Sequence, residues 1–345
     1  MILPVFLPHF GCNEKCIYCD QQFITDLRDT DLSAVIAKTL SAHEGPYEVG
    51  LFGGNVFGIR PNQLRQLFSR FEEYRDRITN FRISTKPVPL NSEIIDILKA
   101  NRVNVIELGI PTFNNKILFK LNRRHSAEDL ITTYKALTEK GFRVALQFMA
   151  GLPNETMADI ETTVEHMIAL NPYYIRIYPL VVLAATPLGE MYTKSLFMPA
   201  SFDIVLDRVV YMYLNALKEN IPVVKMGLTD NEIIKENIIA GQYHPAYGYM
   251  VKSRAFYLAI MAKLHDLSVA GKNVTVHLNN RDIPHLLGHR RMNIVRFDEE
   301  HISIQWEKEE IDRDNFILHY NDQYITGNVF DALETLGEHG AERRR

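Results

Sequence analysis

The chain has only three cysteines in 345 residues, and none lies beyond residue 19. A secreted disulfide framework needs an even number of cysteines spread along the chain, so this count argues against one and favours a reducing, cytoplasmic setting. No apolar run reaches the roughly 20 residues of a membrane span. The opening stretch, residues 1–8, carries no basic leader and runs straight into the cysteines, which reads as a buried strand rather than a signal peptide. Positive charge is not in excess either: 38 lysines and arginines against 42 aspartates and glutamates leave a net charge of −4. Nothing therefore draws the whole chain to nucleic acid, although a local basic face stays open. Low-complexity segments and repeats beyond a β/α unit are also missing.

What is present is an ordinary globular composition, 46% hydrophobic and 23% charged, long enough for one large unit and a smaller one. Up to about residue 179, short apolar runs alternate with longer amphipathic stretches. The pattern predicts strands at residues 3–7, 48–52, 80–84, 103–108, 143–149 and 174–178, and helices at 31–43, 61–74, 92–100, 126–140 and 156–170. Pro61, Asn91 and Ser126 supply helix starts, and Gly141 a left-handed stop. Six strand-helix units in series imply a parallel α/β sheet with right-handed crossovers, curled into a partial (β/α)6 TIM-like barrel with its site at the carboxyl ends of the strands. Residues 1–200 would form this barrel. A helical extension, 201–270, includes a predicted helix over 202–220. Period-two alternation at 274–278, 293–297, 301–306 and 316–320 predicts a small antiparallel β module, 271–330, before a solvated tail, 331–345.

Cys12, Cys16 and Cys19 stand in the run Pro8-His9-Phe10-Gly11-Cys12-Asn13-Glu14-Lys15-Cys16-Ile17-Tyr18-Cys19, just after the first predicted strand. Thiolates are soft ligands that suit iron-sulfur clusters and zinc. Three of them hold a cuboidal four-iron four-sulfur cluster and leave one iron open to a ligand that is not protein. A zinc site completed by His9 is the alternative.

The spacing, with an aromatic residue just before the third cysteine, resembles that of the radical S-adenosylmethionine enzymes. In that family the open iron binds the cofactor's amino and carboxylate groups, and an electron from the cluster cleaves the sulfonium. The resulting 5′-deoxyadenosyl radical takes a hydrogen from substrate, in chemistry that is oxygen-sensitive. Phe52-Gly53-Gly54-Asn55, Ser84-Thr85-Lys86-Pro87, Glu107-Leu108-Gly109-Ile110-Pro111, Arg123-Arg124-His125-Ser126 and Met149-Ala150-Gly151-Leu152-Pro153 are similar, in order, to motifs of one subgroup. It contains the Elongator catalytic subunit and the oxygen-independent coproporphyrinogen oxidases. The resemblance implies cofactor contacts at Tyr18, Gly53, Gly54, Asn55, Ser84, Thr85, Glu107, Arg123 and Gln147, with the arginine facing the cofactor carboxylate. Asn55 replaces the usual glutamate and Pro111 the usual glutamine. Glu107, inside an apolar strand, is costly to bury unpaired and should face a cationic partner in the barrel.

Farther on, Tyr243-His244-Pro245-Ala246-Tyr247-Gly248-Tyr249 is similar to a segment that follows the radical unit in Elongator-type proteins, as is Met226-Gly227-Leu228-Thr229. Tyr243, His244 and Tyr247 combine proton-transfer groups with stacking faces and are the candidate substrate-side catalytic residues; core packing of the aromatics is the alternative. No acetyltransferase segment is recognisable after residue 250, and no cysteine is left for a second cluster. The acidic balance favours a small-molecule substrate. Modification of tRNA through Arg281, His285, His289, Arg290, Arg291 and Arg296 is an alternative, as is a non-catalytic, haem-type binding role on the same barrel. A flavodoxin- or ferredoxin-type donor is the reductant the resemblance implies.

Overall fold

In a parallel sheet covered on both faces, strands are continuous apolar runs joined by helices. The computed structural model of the chain, which describes residues 1–13, 15–20, 31–228, 232–266 and 272–337, has this arrangement. Its first part runs β1 (Ile2–Phe6), α1 (Leu32–Ser41), β2 (Tyr47–Phe52), α2 (Pro61–Ser69), β3 (Ile78–Thr85), α3 (Ser92–Ala100), β4 (Val103–Gly109), α4 (Asn115–Lys120), α5 (Ala127–Glu139), β5 (Arg143–Ala150), α6 (Met157–Leu170) and β6 (Ile175–Pro179). All six expected strands are present, with ends displaced by no more than two residues. The helix starts follow the sequence signals. The Asn91 side chain caps α3, Ser126 and Asp129 cap each other's backbone at α5, and Thr156 with Asp159 does the same at α6. Gly141 takes the left-handed conformation expected after α5, with φ +85°.

The barrel sheet has seven strands rather than six. After β7 (Val181–Leu183), α7 (Pro187–Thr193) and α8 (Phe202–Lys218), the chain adds β8 (Val223–Met226) beside β6, so the parallel order is β1-β2-β3-β4-β5-β6-β8. Then come α9 (Glu232–Asn237), β9 (Ile238–Gly241) and α10 (Tyr247–Asp266), with β9 antiparallel to β7. The expected helical extension is therefore interrupted by two short strands, and its segment at residues 267–270 lies outside the described residues.

The small module contains β10 (Lys272–Leu278), α11 (Ile283–Leu287), α12 (Met292–Glu299), β11 (Ile302–Lys308), β12 (Asn315–Tyr320) and β13 (Gln323–Asn328). Strands β10, β12 and β13 are antiparallel, and β11 adds in parallel to β10 at the edge. The strand expected at 293–297 is instead helix α12. A strand would bury Val295 with Asn293 and Phe297, yet Val295 is 49% exposed while the other two, four apart on one helix face, are buried. The chain stays packed past residue 331, since Ala332 and Leu336 are buried; the end of the expected tail, 338–345, lies outside the described residues.

Register fixes which side chains meet. Ser84 lies opposite Glu107, and Gln147 opposite Arg176, so these four share one face of the sheet.

Candidate functional site

The three cysteines occupy a loop clamped onto the end of β2. Leu7 N–H donates to Phe52 O at 2.6 Å and His9 N–H to Gly53 O at 3.1 Å, and Asn55 N–H donates back to Phe10 O at 2.8 Å. The approach is so close that a Cβ on Gly54 would stand 2.7 Å from Phe10 O and 2.9 Å from Leu7 O. Only glycine fits there. Cys16 is buried, whereas Cys12 and Cys19 are half-buried. On its other side the loop leans on α4 and α7, through Ile17 N–H to Leu121 O and Leu188 N–H to Ile17 O. Burial pushes the Cys12 thiol up, against the pull of Lys86.

Among the described residues no three His, Cys, Asp or Glu side chains converge as ligands of one ion would, and the His9 ring lies 3.8 Å from an Asp20 carboxylate oxygen. A cuboidal cluster makes a different demand, because each thiolate takes its own iron. Three cysteines from one loop at the mouth of the sheet fit that demand. A residue suited to the carboxylate of a bound cofactor is Arg123. It donates to Tyr18 OH at 2.7 Å and to Gly109 O at 3.1 Å, while its buried Nε has no partner. Burial opposes its charge, but Tyr18 and the Cys16 thiol more than offset this and raise its pKa.

Asn55 and Thr85 play a different part from the one the family motif implies. Asn55 is 7% exposed and Thr85 3%. Asn55 donates to Gly11 O at 3.2 Å and accepts from Thr85 Oγ1 at 2.8 Å and Lys86 N–H at 3.0 Å. Thr85 Oγ1 in turn accepts from Phe57 N–H at 3.0 Å. These bonds tie the cysteine loop to the ends of β2 and β3.

Below this layer lies a buried charged floor. Glu107 is wholly inaccessible. Its Oε1 accepts from Tyr174 OH at 2.5 Å and Arg176 Nη2 at 3.0 Å, and its Oε2 from Gln147 Nε2. Gln147 also reaches Ser84 Oγ at 3.3 Å. Beside it, Arg82 forks onto Glu48 at 2.8 and 2.7 Å and donates to Tyr174 OH at 2.8 Å. Glu107 thus has the cationic partner expected of it. The sequence reading did not single out Arg82, Tyr174 or Arg176. A signal was available for Arg176, a charge within the otherwise apolar run Ile175-Arg176-Ile177; Arg82 stands in a strand that also holds Thr79, Asn80, Ser84 and Thr85, and gives no such contrast.

The structure separates the three substrate-side candidates. Tyr247 is 1% exposed, packs edge-on to Phe202 at 5.8 Å, and has a buried hydroxyl with no partner. It belongs to the core, which corrects its expected catalytic placement. His244 Nδ1 accepts from Ala246 N–H at 3.0 Å, and its ring meets His289 edge-on at 4.7 Å. Burial, with His289 and Arg290 nearby, lowers its pKa. Tyr243 is half-buried on the same loop. Of the Met226-to-Thr229 segment, Thr229 lies outside the described residues.

The sequence profile of the Radical SAM superfamily matches residues 6–167, and that of the Radical_SAM C-terminal domain matches residues 172–256. The chain is 26% identical over 199 residues to the heme chaperone HemW of Bacillus subtilis (strain 168), covering 53% of this chain and 52% of that protein. It is 29% identical over 145 residues to the tRNA uridine(34) acetyltransferase of Methanocaldococcus infernus, covering 41% and 27%. The chain spans about half the length of the heme chaperones it matches. Among solved structures, archaeal Elp3 of Methanocaldococcus infernus superposes with a TM-score of 0.55 at 17% identity, over 77% of this chain and 63% of that one, which is a likeness of fold. No helix among the described residues is long and apolar enough to cross a membrane.

Proposed function

Because the chain belongs to the radical S-adenosylmethionine superfamily, with a four-iron four-sulfur cluster and S-adenosylmethionine as its cofactors, we propose that it is an enzyme that abstracts hydrogen from a small-molecule substrate at the mouth of its barrel. The observation that carries this reading is the cysteine loop: all three cysteines of the chain lie on one segment, clamped to β2 beside Arg123. Cys12, Cys16 and Cys19 would hold the cluster. When bound, the cluster and its partner supply reductive cleavage to a 5′-deoxyadenosyl radical.

The protein's own part is to bind, orient and insulate. Arg123, fixed by Tyr18 and Gly109, would meet the cofactor carboxylate. Gln147 and Ser84, held at one level by Glu107, would offer polar contacts to its ribose. Gly53, Gly54, Asn55 and Thr85 would act by setting the height of the cysteine loop. Tyr243 and His244 would border the substrate. Residues 1–200 would carry the radical chemistry and 201–270 the substrate side, in a cytoplasmic protein reduced by a flavodoxin- or ferredoxin-type donor.

A second reading follows from the similarity to heme chaperones: the same barrel holds a haem-type cofactor without radical chemistry. Anaerobic reconstitution separates the two. The enzyme reading requires about four irons per chain and 5′-deoxyadenosine on reduction with S-adenosylmethionine, both lost in Cys16→Ala. Iron loading without cofactor cleavage favours the second reading, and zinc in place of iron sinks both. Dependence of cleavage on added tRNA would transfer the substrate assignment to RNA.

A further inference from the structure

The turn that carries Arg290 and Arg291 is built against the preference of its own residues. Met292 N–H bonds His289 O, and the two arginines between them both have left-handed backbone, with φ +50° and +61°. These are the angles of a type I′ turn, for which asparagine and glycine are the favoured pair because a Cβ is poorly tolerated there. The strain is held in place from below. Gly288, at φ +76°, packs against Asn293, whose amide donates to Ser253 O, His285 O and Leu286 O. Arg291 lies over Trp306, its guanidinium carbon 5.6 Å from the ring centre. Arg290 is exposed and has no hydrogen-bond or ion-pair partner among the described residues.

His244 stands beside this turn. Its ring meets that of His289 edge-on at 4.7 Å. Burial, then His289 and Arg290, hold its pKa down, and no described carboxylate offsets them. Since His244 Nδ1 accepts from Ala246 N–H at 3.0 Å, the neutral ring carries its proton on Nε2, a donor with no partner among the described residues. The loop lies at the carboxyl ends of the strands. Gln242 N–H bonds Leu180 O, just past β6, at 2.8 Å, and a Cβ on Gly227, just past β8, would stand 2.8 Å from the Tyr247 side chain. Leu180 and Ala240 share an apolar cluster with Ile17 and Tyr18 of the cysteine loop.

An arginine that only keeps a surface soluble needs no strained turn to carry it, whereas backbone strain clusters where a side chain has to be aimed. Resting on the reading of the chain as an enzyme with its substrate at this mouth, we infer that the substrate carries a terminal phosphate or carboxylate, held by the Arg290 fork and the His244 Nε2–H with His289 beside them.

The test titrates the full chain with inorganic phosphate and with acetate at constant ionic strength, and follows the histidine rings by proton–nitrogen correlation spectra. The His244 Nε2 signal should shift saturably with at least one anion, and the tighter of the two names the group. Arg290→Gly deletes the fork and relaxes the backbone. It should weaken binding by about tenfold, as loss of a charge-assisted hydrogen bond does, with a urea midpoint equal to or above that of wild type. No shift with either anion up to about 10 mM, equal binding by Arg290→Gly, or a lower midpoint for that variant overturns the inference. A single-stranded oligonucleotide that displaces more strongly than inorganic phosphate, at equal phosphate concentration, would overturn it in favour of RNA. A reconstituted wild-type chain that forms 5′-deoxyadenosine yet binds neither anion keeps the enzyme reading and loses this one, and anion binding without cleavage does the reverse.

Discussion

Replacing Glu107 by alanine separates two roles that the sequence leaves entangled. If this carboxylate only touched the cofactor, its loss would leave the apo protein as stable as before. The hydrogen bonds say otherwise: both oxygens are occupied by Tyr174, Arg176 and Gln147, with Arg82 at 4.0 Å. Removing one member of a buried ion pair strands the other, and this costs about 3–5 kcal/mol. Here Arg176 is the stranded group, because Arg82 keeps Glu48. Glu107→Gln keeps the shape and one acceptor, so its cost should be nearer 1.5–3 kcal/mol, roughly the worth of charge-assisted hydrogen bonds.

Urea unfolding of the apo protein, followed by circular dichroism, reads this directly. The alanine variant should show a midpoint well below wild type with little change in slope. The double variant Glu107→Met with Arg176→Met should recover part of the loss, since replacing both partners by apolar groups removes the stranded charge. If Glu107→Ala unfolds within about 1 kcal/mol of wild type, or the double variant is as unstable as the sum of the singles, the floor is not a coupled network.

Other outcomes test the remaining placements. Tyr247→Phe deletes a buried hydroxyl that has no partner, so it should be neutral or stabilising by up to about 1 kcal/mol and leave cofactor cleavage unchanged in a reconstituted assay; a loss of cleavage at full stability would restore its catalytic placement. Gly54→Ala forces a Cβ to within 2.7 Å of Phe10 O, which should displace the cysteine loop and lower the iron bound per chain while far-ultraviolet dichroism is retained. Burial pushes the Glu155 carboxyl up to about 7, against the Gly151 N–H and Arg208. Its unfolded value is near 4.5, so the folded state holds the extra proton between these two, and stability should fall as pH rises through that window. Glu155→Gln should flatten this slope in urea titrations at pH 4.5 to 8, and an unchanged slope would refute the assignment. His125 has the opposite sign. Burial, Arg123 and Lys86 lower it from 6.5 to about 3, so stability present above pH 6.5 should drain away as pH falls toward 3, and His125→Gln should remove that loss.

Much of the barrel was legible because buried parallel strands are short apolar runs whose helical connections carry their own caps, so boundaries at Pro61, Asn91, Ser126 and Gly141 could be read locally. Strand β8 escaped because four residues give too little pattern to distinguish a strand from a loop. Residues 293–297 misled for another reason. Asn293 looks like the polar half of an alternation, but its amide is buried and donates to the carbonyls of Ser253, His285 and Leu286. All three acceptors lie on other helices, so no local pattern could reveal them. Asn55 and Thr85 teach the same lesson at the site. Their positions match the family's motif, but their partners come from three loops far apart in the chain.

The charged floor also limits where substrate selectivity can come from. Glu48 is matched by Arg82 and Glu107 by Arg176, each pair closed by direct hydrogen bonds, so the floor presents no spare charge upward. Arg123 differs, since it bonds a phenol and a backbone carbonyl rather than a carboxylate. An anionic group entering from above would therefore meet a fixed cation to which no carboxylate among the described residues is bonded, in a place where burial strengthens the attraction. On the proposed function, Arg123 would meet the cofactor carboxylate beside the cysteines, while the charges beneath it are balanced. On the same proposal, discrimination among substrates would be left to the rim, where His244, on the loop that also bears Tyr243, meets His289 from the small module.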